Sequence, residues 1–93
     1  MKNRFFDVLL IMPNGNEAGL GLTEYPTLED MQGWVKGNFP DGLIERITTL
    51  DGKDMLVNEE GLLKDMEYNP LASKLAGQPI VGTVAILENF HLK

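Results

Sequence analysis

The run PIVGTVAIL, Pro79 to Leu87, limits what this chain can fold into more than any other segment. Read as a strand, it is apolar on both alternating faces. A strand of that kind is central in its sheet and covered on both sides, because a half-exposed strand alternates apolar with polar residues. Gly82 inside the run marks close approach by a neighbour. The chain has 93 residues, enough for one domain whose folding buries roughly 60 to 65% of the surface open in the unfolded state. A single core therefore has to supply the cover.

The rest of the sequence reads as the elements around that strand. FFDVLLIM, Phe5 to Met12, is a strand; PNGNEAG is a loop reversing at Asn14-Gly15; GLGLTEY, Gly19 to Tyr25, returns as a short strand. The spacing predicts a helix over 28–36. Thr27 and Asp30 form a capping box, Leu28, Met31 and Val35 share an apolar face bordered by Trp34, and Gly37 terminates the helix. Gly33 weakens its interior. A hairpin over 43–58 follows, turning at Asp51-Gly52, a pair suited to the positive φ angles of a type I′ turn. Asn69 as N-cap, Pro70 at the first helical position and Gly77 as the left-handed C-terminal residue bracket a short helix over 70–76. A last strand covers 80–87. The expected architecture is a single small α+β domain: a mixed, mostly antiparallel sheet of four to five strands with one main helix and one short helix. MKNRFFDVLLIMP has the basic start of a secretory signal, but Asp7 interrupts it, no small-residue cleavage site follows and no run reaches membrane-spanning length, so a cytoplasmic protein is expected.

Charge narrows the partners. The net charge is −6, and Asp41 to Glu67 supplies five of those negative charges, with eight acidic residues against three basic ones. Phosphate recognition needs a basic patch to displace counterions, so direct nucleic-acid binding is not expected, whereas a basic protein partner or mimicry of nucleic-acid charge is compatible with it. With no cysteine in the chain, disulfides, zinc-thiolate sites and thiol nucleophiles are excluded.

Catalytic constellations are scarce. Ser73 and His91 are the only serine and histidine, and Ser73 sits inside a predicted helix rather than on a strained elbow, so a hydrolase triad is not expected. His91 reads as a solvated tail residue. Gly15, Gly19 and Gly21 lack the strand-to-helix context of a phosphate loop, and the acidic segment lacks EF-hand spacing; no cofactor or metal is expected. VNEEG, Val57 to Gly61, sets an amide and two carboxylates after apolar residues. Adjacent glutamates on an extended chain point to opposite faces, so Glu59 and Glu60 read first as solvated groups at a strand-to-turn junction where Gly61 supplies the turn.

YPTLEDMQ, LIE, VNEEG, NPLA and IVGTVAIL, in that order from Tyr25 to Leu87, resemble a family of small domains of unknown function common in phages, plasmids and other bacterial mobile elements. Members of that family carry a glycine pair just before the strand that starts here at Leu43; this chain carries the longer KGNFPDG. The resemblance implies origin and fold, and no catalytic residue. The functional expectation is a non-enzymatic accessory protein that binds a host or viral macromolecule; its more specific version is an inhibitor occupying the basic nucleic-acid groove of a bacterial defence enzyme. Asp51, Asp54, Asn58, Glu59, Glu60 and Asn69 are the residues expected to meet a protein partner. The alternative is a small-ligand domain for a nucleotide or metal ion, with Asn58, Glu59, Glu60 and Asn69 grouped at one end of the sheet. The strand over 19–25 offers an edge for a homodimer.

Overall fold

A computed structural model describes residues 5–36, 43–61 and 64–93. Five strands form one sheet: β1 (Phe6–Ile11), β2 (Glu17–Leu22), β3 (Ile44–Thr48), β4 (Asp54–Asn58) and β5 (Val84–Leu87), in the order β2-β1-β5-β4-β3. Every pairing is antiparallel. Helix α1 (Leu28–Val35) and helix α2 (Pro70–Ala76) complete the α+β domain. Among the described residues no helix is long and apolar enough to cross a membrane.

The doubly apolar run explains the layering. All four residues of β5 are buried. Val84 and Ile86 face Ile11, Met55, Val57, Ala72, Ala76 and Ile80 beside α2, whereas Ala85 and Leu87 face Val8, Leu56, Met31 and Val35 beside α1. The two helices thus cover opposite faces of the sheet's centre. Only Val84 to Leu87 of the expected strand over 80–87 pairs in the sheet. Gly82 has φ +78 and breaks the extended run, Val81 makes an isolated bridge to Tyr68, and a Cβ on Gly82 would lie 2.8 Å from the Met66 sulfur. That contact is the close approach its sequence position indicated.

The second strand lies at 17–22 rather than 19–25, because the reversal is a three-residue loop that brings Glu17 opposite Ile11. Leu20 and Leu22 reach the α1-side core, while Gly19 has open space beside it. The Asp51-Gly52 reversal also differs from a type I′ turn. Gly52 alone adopts positive φ, at +89, and the Gly52 amide bonds the Thr49 carbonyl at 3.0 Å while the Thr49 amide bonds the Lys53 carbonyl at 2.8 Å. Such bonding describes a three-residue loop with a left-handed glycine at its close. It pairs Thr48 with Asp54 and Glu45 with Val57.

The capping box of α1 is present: the Asp30 amide donates to Thr27 Oγ1 at 3.0 Å and the Thr27 amide to Asp30 Oδ2 at 3.2 Å. Met31 and Val35 are buried, but Leu28 is 57% exposed and stands off the apolar face expected for it. Gly37 and the KGNFPDG tract from Gly37 onward lie outside the described residues. In α2, Asn69 caps the first turn and Gly77 ends the helix in the left-handed region at φ +73.

Candidate functional site

The VNEEG junction lies where β4 leaves the sheet. Asn58 is buried; its Nδ2 donates to the Val35 carbonyl at the end of α1 at 3.2 Å, and its Oδ1 accepts the Glu60 amide at 2.8 Å. Its polar atoms therefore tie the helix end to the turn. Gly61 is required by packing, not by a positive φ angle: a Cβ there would lie 2.8 Å from Val81 Cγ2. Glu59 is exposed, held through its backbone amide to the Leu43 carbonyl at 2.8 Å. Glu60 pairs with Lys64, four residues on in sequence, at 3.5 Å.

Asn69 is equally committed. It is fully buried; its Oδ1 accepts the Ala72 amide at 3.1 Å, and its Nδ2 donates to the carbonyls of Ile11 at 3.0 Å and Gly82 at 2.8 Å. Asp51 and Asp54 stand at the opposite end of the sheet from these residues, so the six expected contact residues do not form one cluster. Asp54 is buried and accepts the Leu92 amide at 2.7 Å with His91 Nδ1 at 3.3 Å, which fastens the segment after β5. Asp51 is exposed. The Thr49 hydroxyl, bonded to its carboxylate, holds its pKa below the ordinary value, with Lys53 assisting. Across the sheet the Glu88 carboxylate, 2.9 Å from Lys53 Nζ, raises the lysine's pKa. Of the six, Asn58, Asn69 and Asp54 thus serve the fold, and Asp51, Glu59 and Glu60 are left with carboxylates reaching solvent.

The nucleophile and base fare no better as a pair. Ser73 Oγ is buried, donating to the Asn69 carbonyl at 2.7 Å and accepting the Ile80 amide at 2.7 Å on the α2 side, while His91 and Asp54 lie on the α1 side. Among the described residues no group of three or more His, Asp or Glu side chains is placed to hold a metal ion, and no buried side-chain nitrogen or oxygen lacks a hydrogen-bond partner.

What the fold does build beside VNEEG is a groove of about 160 Å³ on the α2 face, between the β3–β4 pair and the segment 78–81. Val57, Ile80 and Ile47 give it an apolar floor, and Glu45, Glu59 and Pro79 stand along it. Glu45 was not among the expected contact residues. Its signal was the hairpin register: opposite Val57, Glu45 shares a face with Glu59 two residues on, a diagonal neighbour. A second groove of about 190 Å³, lined by Leu9, Leu75 and Ile86, lies under the Lys53–Glu88 pair.

No curated protein and no solved structure matches the chain. A family described as Domain of unknown function (DUF3846) matches it over residues 6–90.

Proposed function

The chain belongs to the family of the Domain of unknown function (DUF3846), and from that premise we propose that it is a non-enzymatic binding protein that engages a basic macromolecule through the acidic end of its sheet. One observation carries the reading. The carboxylates of Glu45, Glu59, Asp65 and Glu67 are exposed around the passage from β4 to α2, while the neutral polar groups of that region, Asn58, Asn69 and Ser73, are consumed in internal hydrogen bonds. Outward-facing negative charge beside neutral polar groups that are already bonded internally favours a charged surface over a reaction centre. The same point weighs against a small-ligand domain, whose expected contacts included those two asparagines.

The ordered motifs from Tyr25 to Leu87 support a finer form of the proposal: a cytoplasmic accessory protein of phage or mobile-element origin whose partner is a host or viral protein. A nucleic-acid-binding groove of a bacterial defence enzyme has the complementary charge, and an acidic surface would compete there with phosphates. The test is affinity capture from bacterial lysate at low salt, followed by identification of what is retained. The expected result is a protein with a basic groove, released as salt is raised and displaced by nucleic acid. Retention of nothing at low salt, or of partners indifferent to salt, overturns the proposal.

A further inference from the structure

The groove beside Glu59 has a chemistry narrower than that of the acidic surface around it, and we infer that it takes one arginine or lysine side chain from an extended segment of a basic partner lying along the open edge of β3. This rests on the reading of the chain as a binding protein for a basic macromolecule and names the contact. Size comes first. At about 160 Å³ the groove is roughly half the ~300 Å³ at which small-molecule sites begin, a volume suited to one side chain rather than a nucleotide. Its surface is amphipathic in the sense a long cationic side chain requires: the methylene stem lies over Ile47, Val57 and Ile80, and the charged head reaches Glu45 and Glu59. Among the described residues neither carboxylate has an ion-pair partner, in contrast to Glu60 with Lys64 and Glu88 with Lys53.

The strand beneath explains why the donor is an extended segment. Among the described residues β3 is the outermost strand on its side and pairs with β4 alone, so no described strand takes up the row of backbone groups that an added strand would use. Glu45 and Ile47 are alternate residues of β3 on the groove's face, so a strand laid beside them presents every second side chain to the same face.

The test is an amide-resolved NMR titration of the chain at pH 7 and low salt with the peptide acetyl-Val-Arg-Val-Arg-Val-amide. Controls are the same peptide with citrulline for arginine, L-argininamide, and the double variant Glu45→Gln with Glu59→Gln. The expected shifts concentrate at residues 44–48, 57–59 and 78–81. Affinity falls roughly three- to tenfold in the double variant, whose melting temperature stays that of the parent, and the citrulline peptide binds correspondingly more weakly. Unchanged affinity in the double variant, shifts elsewhere, or argininamide binding as tightly as the peptide overturns the inference. A parallel titration with protamine separates the two levels: if the peptide misses the groove while protamine binds in a salt-sensitive way, the groove assignment falls and the broader reading stands. If neither binds, both fall.

Discussion

Replacing Asn69 tests how α2 is fastened to the sheet. The side chain performs two separable tasks: Oδ1 caps the helix through the Ala72 amide, and Nδ2 joins the carbonyl of Ile11 in β1 to that of Gly82 in the segment entering β5. Losing the cap costs about 1 kcal/mol, and each buried amide-to-carbonyl bond contributes about 1 kcal/mol net. Asn69→Ala should therefore destabilise the domain by about 3 kcal/mol, roughly a third of what a chain of this size possesses, and lower its melting temperature by about 15 °C. The informative companion is Asn69→Asp. Aspartate caps as well as asparagine, but its carboxylate would face two carbonyl oxygens with no donor in a fully buried position. Burial and those oxygens raise the folded-state pKa of the introduced acid, so the variant should be weakest at neutral pH. It should regain stability as pH falls toward the ordinary aspartate value of about 3.9, where the unfolded chain also becomes protonated. Urea unfolding followed by the fluorescence of Trp34, the sole tryptophan, gives both free energies at pH 7 and pH 5. If Asn69→Asp matches the parent within about 0.5 kcal/mol at pH 7, the amide's two carbonyl bonds contribute nothing and Asn69 is only a cap.

Three further outcomes follow from the same geometry. Asn58→Ala removes the bond to the Val35 carbonyl and the one from the Glu60 amide and should cost about 2 kcal/mol, with hydrogen exchange accelerating in the last turn of α1; Glu59→Gln with Glu60→Gln, by contrast, should change stability by no more than about 0.5 kcal/mol. Gly33→Ala should stabilise the domain by about 0.5 to 1 kcal/mol in the same unfolding assay, because that helical glycine has no positive φ and nothing within 4 Å of an added Cβ; a loss would refute the packing described around α1. The depressed pKa of Asp51 makes its contribution present above the ordinary aspartate value and lost as pH falls below it, whereas the raised pKa of Lys53 makes its contribution present at neutral pH and lost above the ordinary lysine value. Urea midpoints of the parent, Asp51→Asn and Lys53→Met should converge at those two respective extremes, and a pH-independent difference would refute the assignment.

Helix capping was legible because one segment contains the whole interaction. The Thr27–Asp30 box and the Asn69, Pro70 and Gly77 punctuation of α2 involve neighbours in sequence, and the structure shows each in place. The exposure of Leu28 is not legible in the sequence because helical periodicity locates a face but not the partner that covers it; the residue is the first of α1 and is exposed, whereas Met31 and Val35 further along are buried. The place of Glu45 is hidden from the sequence for a different reason. A two-residue turn at Asp51-Gly52 would set Glu45 opposite Asn58, whereas the observed three-residue loop sets it opposite Val57. One residue of register exchanges the faces that two strands share, and with it the neighbours of a carboxylate.

By itself the sequence determined that there is one domain, that the strand ending at Leu87 is covered on both faces, where both helices begin and where α2 ends, because hydrophobic alternation and capping act between residues close along the chain. Only the tertiary structure decided that Asn58, Asn69 and Asp54 are structural, that Gly61 faces Val81 and Gly82 combines a positive φ with the approach of Met66, and that Glu45 joins Glu59 over an apolar groove. Each of those depends on which groups from distant segments arrive beside one another, and a polar side chain looks the same in sequence whether water or a buried carbonyl completes its hydrogen bonds.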